Sequence, residues 1–231
     1  MKTGPQPPLI LFSGLAADAS VFRPQKVAHP DLLVPKWPKP KPNETLDEYC
    51  DRIEVDLSSY HGGVVGGASF GGIIALHLAN RLNAKAVILI GSVRSPEQLS
   101  RLARCARPLK PLIAWIPIRI AQWICRPFTM KLLQRWFPHT SAIAQQFCNA
   151  DRVVFRWSLE RILDWNLTPK LDCPVFQIHG DRDWVLPIRN TRPDQIVKGG
   201  GHVISLTHAR DVNQFIDRVR RDFSQTPAAP S

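Results

Sequence analysis

The chain has 231 residues and a net charge of +11, with 44% hydrophobic residues, 21% charged residues and five cysteines. This composition argues against disorder over most of the length and fits one packed domain that carries an insertion. No apolar run reaches the roughly 18 residues of a membrane-spanning helix. The cysteines are odd in number and form no C-x-x-C pair, so we predict a cytoplasmic protein without disulfide framework, bound metal or cofactor.

Most of the excess positive charge lies in one segment. Nine Lys or Arg residues occur between Arg94 and His139, against the single acid Glu97. Such a concentration of positive charge attracts anionic substrates, membrane surfaces or nucleic acid. It also occurs on a basic face that is only solvated. Charge alone does not choose among these interpretations.

Short apolar runs recur along the chain and predict buried parallel strands at residues 9–12, 31–34, 64–66, 86–90, 174–178 and, more weakly, 195–198. Between them, Thr45 and Glu48 have the spacing of a capping box and predict a helix over 45–58. Residues 71–82 are apolar on all sides, as in a helix packed against a sheet. Four prolines in residues 35–42 predict an extended, solvated connection. The alternation favours an α/β fold with a doubly wound, mostly parallel sheet.

The alternation of predicted strands and helices stops between residues 94 and 168, where Arg, Pro and Trp are frequent and no strand is evident. We predict a core formed by residues 1–93 and 169–231 and a helical cap inserted at 94–168. The aromatic residues of the cap either line a pocket mouth or pack as ordinary core. Five of the seven tryptophans are in this segment: Trp115, Trp123, Trp136, Trp157 and Trp165.

Gly67-Ala68-Ser69-Phe70-Gly71 matches G-x-S-x-G, the pattern of a nucleophile elbow. A strand precedes the motif and an apolar helix follows it, so the turn would lift the Ser69 hydroxyl out at the carboxyl end of the sheet. The flanking glycines avoid collisions in so sharp a turn. The alternative is a glycine-rich turn that packs a helix closely or holds a phosphate.

A serine nucleophile needs a base within hydrogen-bond reach, and histidine suits that proton exchange at neutral pH. His202 follows three glycines and a predicted strand end, which predicts a position near the elbow. We assign structural or exposed roles to the other six histidines, including His179. A buried carboxylate should orient the base, and both Asp181 and Asp183 follow the strand after the cap. Position alone leaves these two residues about even.

Three segments together resemble the α/β-hydrolase fold superfamily. They are Gly-Ala-Ser-Phe-Gly-Gly at Ser69, His-Gly-Asp-Arg-Asp-Trp-Val-Leu-Pro from His179, and Gly-Gly-Gly-His at His202, in that order. The resemblance implies a short form of the fold, with Asp183 as the catalytic acid and Asp181 as a turn residue. Two backbone N–H groups, of Leu15 and of Phe70, are the expected oxyanion donors. Ser13 departs from the histidine common before that loop glycine.

We therefore predict a serine hydrolase that cleaves a carboxylic ester or thioester through an acyl-enzyme. The expected partner is a small-molecule acyl ester or thioester, anionic or amphipathic in character, with a membrane-surface contact through the basic cap. Acyl transfer, carbon–carbon bond hydrolysis and perhydrolysis use the same triad and remain alternatives. So does a non-enzymatic protein that binds lipid or nucleic acid through the cap, although prolines interrupt any long basic helix and no nucleic-acid motif is present.

Overall fold

The computed structural model describes residues 6–100, 105–115, 117–124 and 146–224. At its centre is a five-stranded sheet in the order β1-β2-β3-β4-β5, and all four neighbouring pairs are parallel. This architecture confirms the predicted α/β fold with a parallel sheet. The strands are β1 (Leu9–Phe12), β2 (Val64–Ala68), β3 (Ala86–Ile90), β4 (Val175–Gly180) and β5 (Gln195–Val197).

Helices cover both faces of the sheet, as the side chains of β1 illustrate. Ile10 and Phe12 pack into one apolar cluster, whereas Leu9 and Leu11 pack into a second cluster on the opposite face. Successive side chains of a strand point to opposite faces, so a strand buried on both sides is apolar throughout. The α-helices are α1 (Arg23–Ala28), α2 (Leu46–Glu54), α3 (Phe70–Leu78), α4 (Ile118–Ile124), α5 (Arg152–Asp164), α6 (Ile204–Thr207) and α7 (Ala209–Ser224).

The strand predicted at residues 31–34 is wrong. Leu33 forms only an isolated bridge with Ile10, through two hydrogen bonds of 2.9 and 3.0 Å. Pro30 and Pro35 flank this segment, and a proline cannot donate a hydrogen bond to a neighbouring strand. A single bridge therefore forms at the edge of β1 where we expected a sixth strand.

Helix α2 begins as predicted and ends earlier. Thr45 and Glu48 form both hydrogen bonds of the capping box, and the α-helix stops at Glu54. A 3-10 helix, Val55–Tyr60, continues the chain through a stretch with two serines, which compete for backbone hydrogen bonds. Helix α3 likewise ends at Leu78, and the chain then turns with Asn83 at a φ of 45°.

The proline-rich connection at 35–42 is not simply solvated, because Trp37 packs into the core. Its ring stacks on that of Phe70 with the centroids 5.6 Å apart, and it also contacts the rings of Phe12 and Tyr49. The Tyr49 hydroxyl donates a hydrogen bond to the carbonyl of Pro38. The segment is irregular, as expected, but it covers the elbow.

The described part of the cap segment is helical. It contains a 3-10 helix, Arg107–Trp115, followed by α4 and α5. Trp157 and Trp165 are buried in the core, Trp115 and Trp123 are exposed, and Trp136 lies outside the described residues. Within the described ranges, no helix is both long enough and apolar enough to cross a membrane.

Candidate active site

Ser69 occupies a sharp turn between β2 and α3 at the carboxyl edge of the sheet. Its φ of 51° and ψ of −122° are strained for a residue with a side chain. Two glycines make the turn possible: a Cβ on Gly67 would collide with the backbone of Gly71, and a Cβ on Gly71 would collide with the carbonyl of Phe12. The spacing of the motif is therefore required by the backbone itself.

Three side chains from different elements meet at this turn. The Ser69 Oγ lies 3.0 Å from Nε2 of His202, and Nδ1 of His202 lies 2.8 Å from Oδ2 of Asp183. A carboxylate can only accept, so Nδ1 carries the hydrogen and Nε2 is free to accept from the serine hydroxyl. This is the tautomer that a general base toward serine requires.

Asp183 is buried, and both of its oxygens are occupied. Oδ1 accepts hydrogen bonds from the N–H groups of Val185 and Leu186, each at 2.9 Å, while Oδ2 faces His202. Burial raises the pKa of this carboxyl, but the contacts with His179, His202 and the Leu186 N–H outweigh it and hold the pKa well below its ordinary value. Asp183 is therefore a fixed negative charge next to the imidazole.

His179, to which the sequence assigned a structural role, also contacts this carboxylate. Its ring is fully buried at the end of β4, and Nε2 lies 2.7 Å from the carbonyl oxygen of Leu186 and 3.3 Å from Oδ2 of Asp183. A carbonyl only accepts, so Nε2 carries a hydrogen and points it toward both oxygens. His179 thus contacts the same carboxylate oxygen that faces His202.

Asp181, the other candidate acid, does not reach the imidazole. Its Oδ1 accepts a 2.7 Å hydrogen bond from the N–H of Gly199. That bond ties the turn after β4 to the loop that carries His202, and Gly199 has a φ of 73° in this loop. Asp181 therefore fixes the path of the loop, while Asp183 contacts the histidine.

The two predicted oxyanion donors flank the serine. Phe70 is the first residue of α3, so its N–H belongs to the group of helix N–H groups that have no intrahelical acceptor. Among the described residues, the N–H of Leu15 makes no hydrogen bond. Gly14 abuts the serine, since a Cβ there would lie 3.2 Å from the Ser69 Cβ. Their role as oxyanion donors stays a prediction.

The loop that presents Leu15 is held by contacts that sequence reasoning missed. Ser13 is buried, its hydroxyl donates to the carbonyl of Ala17 at 2.9 Å, and it accepts from Nε1 of Trp37 at 2.7 Å. Ser13 thus holds the loop where a histidine is common in the family that the sequence resembles. The only signal in the sequence was one tryptophan among prolines.

A cavity of about 200 Å³ opens beside this loop. It lies between Leu15 and Trp37 on one side and Val154, Phe155 and Ser158 of α5 on the other, and Gly14 is part of its wall. Since Gly14 also abuts the serine, the cavity begins about one residue's width from the nucleophile, although Ser69 itself does not line it. The cavity is therefore a candidate site for a substituent of a substrate bound at Ser69.

The basic segment is partly neutralised where it is described. Arg94 pairs with Asp194 at 2.5 Å, and Lys110 pairs with Asp164 at 2.6 Å. In the described part of the chain, no group of three or more His, Cys, Asp or Glu side chains is placed to hold a metal ion. Five of the nine cations lie outside the described residues: Arg101, Arg104, Arg126, Lys131 and Arg135.

Comparison with known proteins gives a consistent picture. The model of the alpha/beta hydrolase family matches residues 9–215. A curated protein of Synechocystis sp., classed only provisionally as a non-heme chloroperoxidase, is 36% identical over 58 residues. That match covers 21% of this chain and 21% of the relative, so the chain spans about a fifth of the length of the curated relative it matches.

Solved structures with the same fold cover almost the whole chain. A thermophilic esterase from Thermogutta terrifontis, with malate bound, is 19% identical with a TM-score of 0.68, over 96% of this chain and 92% of that one. An enol-lactonase from Burkholderia xenovorans LB400 is 17% identical with a TM-score of 0.68, over 98% and 94%. A bromoperoxidase from Bacillus anthracis is 16% identical with a TM-score of 0.65, over 93% and 92%. At these identities the likeness shows the fold.

Proposed function

The chain belongs to the alpha/beta hydrolase family, and from that premise we propose that it is a serine hydrolase that cleaves a carboxylic ester or thioester. The observation that carries the proposal is the relay from Ser69 Oγ to His202 Nε2, at 3.0 Å, and from His202 Nδ1 to Asp183 Oδ2, at 2.8 Å. A nucleophile, a base and an orienting carboxylate in hydrogen-bond contact are what acyl transfer through serine needs.

In the proposed reaction, the Ser69 Oγ attacks the carbonyl carbon while Nε2 of His202 takes the hydroxyl proton. Asp183 stabilises the imidazolium that forms, and the N–H groups of Leu15 and Phe70 donate to the oxyanion of the tetrahedral intermediate. His202 then gives its proton to the leaving alcohol or thiol, which leaves Ser69 acylated. Water, deprotonated by the same histidine, attacks the acyl-enzyme, and His202 returns the proton to the Ser69 Oγ as the carboxylic acid leaves.

The cavity beside Leu15 supports substrates with a small acyl or alkoxy group. An apolar cavity of about 150 Å³ holds a benzene molecule, so the 200 Å³ here corresponds to a group of about eight non-hydrogen atoms. Val154 and Phe155 give it apolar walls. Longer acyl chains exceed this volume, so we expect them to gain little from further length.

The proposal is tested by labelling with a fluorophosphonate and by turnover of p-nitrophenyl esters of graded chain length. We expect a covalent adduct on Ser69, located by mass spectrometry, and a kcat/KM that is highest for short acyl groups. An adduct on another residue, or none on folded protein, would overturn the assignment of the nucleophile. Ala150 lines the cavity, so Ala150→Leu should shift the preference toward still shorter esters without abolishing the label.

A further inference from the structure

Helix α4 buries one large apolar side chain, Ile118, but it leaves three others exposed. Its buried face includes Gln122, whose side-chain amide donates to the carbonyls of Phe147 and Ala150 at 2.9 and 3.0 Å. Its exposed face carries Ile120, Trp123 and Ile124, and Trp123 is 74% exposed. A surface helix normally buries its apolar stripe. The exposed apolar face of α4 is therefore a candidate contact surface.

Other exposed apolar side chains lie beside this face or precede it in the chain. Val153, in the first turn of α5, is exposed and lines one groove together with Ile120. Leu112 and Trp115, in the preceding 3-10 helix, are exposed as well. Of the twelve exposed large hydrophobic side chains among the described residues, six lie at positions 112–124 and 153, so they are concentrated in the cap. We call Ile120, Trp123, Ile124 and Val153 the α4 surface.

The groove next to the α4 surface is basic. It has a volume of about 850 Å³ and is lined by five cations against two carboxylates, Asp151 and Glu160. Arg119 and Arg152 are exposed, and neither forms an ion pair within the described ranges. The cations are Lys39, Lys41, Arg119, Arg152 and Arg156. Positive charge thus borders the exposed apolar side chains.

We infer that the α4 surface and this groove dock onto an anionic phospholipid surface. Exposed Trp and Ile side chains enter the headgroup region of a bilayer, while Arg and Lys side chains at the same level contact lipid phosphates. A second copy of the chain is a poorer occupant, because self-association would bring two basic grooves together. A nucleic acid would match the charge but not the aliphatic side chains of Ile120, Ile124 and Val153.

Binding to vesicles tests the charged half of the inference. The full chain should sediment with vesicles of phosphatidylcholine and phosphatidylglycerol, and far less with vesicles of phosphatidylcholine alone. Arg119→Ala combined with Arg152→Ala should weaken partitioning about 30-fold, from the contribution of two cations near an anionic surface. The matched control is Arg210→Ala combined with Arg221→Ala, which removes two exposed charges from α7 and should leave partitioning almost unchanged.

A second pair of variants tests the apolar side chains of the α4 surface. Val153→Ser should weaken partitioning about three- to tenfold, as expected for loss of a buried aliphatic side chain. Val55→Ser changes a valine outside the cap that is even more exposed than Val153, and it should have no effect. Trp123→Ala should have a larger effect than Val153→Ser, because the indole buries more area.

The inference does not depend on hydrolysis, and the two can fail separately. None of these variants touches Ser69, His202 or the small cavity, so turnover of a soluble short-chain ester should stay at the level of the unmodified protein. Absence of vesicle binding, equal binding to neutral vesicles, or equal loss in the α7 control would overturn the inference. Tight binding to DNA or RNA without vesicle binding, or a dimer that α4 variants dissociate, would also overturn it.

Discussion

The carboxyl edge of the sheet and helix α4 differ in what they bury. The sheet edge buries polar groups that are bonded within the chain, whereas α4 exposes large apolar side chains. At the sheet edge, four donors converge on the two oxygens of the buried Asp183, and the hydroxyl of Ser13 is bonded twice. On α4, a glutamine is buried and a tryptophan faces solvent. The first region is organised by contacts within the chain. The second leaves apolar side chains exposed, which is why we infer a partner for it.

The largest effect is expected from substitutions that remove the reacting atoms at the sheet edge. Ser69→Ala and His202→Ala should each lower kcat by about 10⁴-fold or more, because the members of such a relay act as a unit. The double variant should lose little beyond either single one. Steady-state turnover of a p-nitrophenyl ester measures this, with circular dichroism to verify folding. If the losses in kcat of the two single variants multiplied in the double variant, Ser69 and His202 would not act as a unit.

The two aspartates after β4 provide the next test. Asp183→Asn should lower kcat by about 10⁴-fold, since an amide at this position favours the wrong imidazole tautomer. Asp181→Asn should cost far less, because an asparagine oxygen can still accept from the Gly199 N–H. Equal losses in two folded variants would mean that the orienting acid is misassigned.

The Asp183→Asn variant also tests how the stability of the fold depends on pH. The pKa of Asp183 is lowered in the folded chain, so its ionised form stabilises the fold at every pH above its unfolded value, about 3.9. That contribution is lost as the pH falls through the folded pKa. The difference in unfolding free energy between the protein and Asp183→Asn should thus be constant from neutral pH to about pH 4 and shrink below it. Denaturant titrations at several pH values measure it, and a gap that widens on acidification would refute the sign.

His179 gives a smaller and more specific effect. His179→Phe removes the N–H that faces both Leu186 and Asp183, and kcat should fall about three- to tenfold, as for one lost hydrogen bond. The pKa of Asp183 should then rise, because one group that lowers it is gone. The contribution of Asp183 to the unfolding free energy should accordingly be lost at a higher pH than in the unmodified protein. His179→Gln retains a donor and should restore part of kcat and of this pH dependence of stability, whereas a purely structural role would leave that pH dependence unmoved.

The contrast between the two regions also explains what the sequence could predict. The elbow was predictable because its pattern spans only five residues, and a Cβ on Gly67 would collide with Gly71 inside that span. The relay between Ser69, Asp183 and His202 involves residues that are far apart in the chain. Their meeting was expected only because parallel strands end at one edge of a sheet, and position alone did not separate Asp181 from Asp183.

Contacts across the fold escaped sequence reasoning. The support of Ser13 by Trp37, and of Asp183 by His179, depends on side-chain directions that hydrophobic periodicity does not encode. The prediction of a sixth strand was wrong because two prolines limit pairing at 31–34, although the segment is apolar as a buried strand would be. The sequence predicted a membrane contact through the basic cap, but not which apolar side chains of α4 are exposed, since an Ile- and Trp-rich helix is usually buried.

The smallest expected effect asks whether the charge of the cap acts on the site. Arg94 and Lys110 are already paired with carboxylates, so only part of the basic segment is free to attract a substrate. For a short ester with an anionic group, kcat/KM should fall about two- to fivefold as salt rises from low to about 0.5 M, because the Debye length shrinks from roughly 30 Å at 0.01 M toward 3 Å at 1 M. A neutral ester of equal length is the control and should respond much less. Identical salt profiles for the two esters would mean that the basic surface has no part in substrate choice, and its role would then rest on vesicle binding alone.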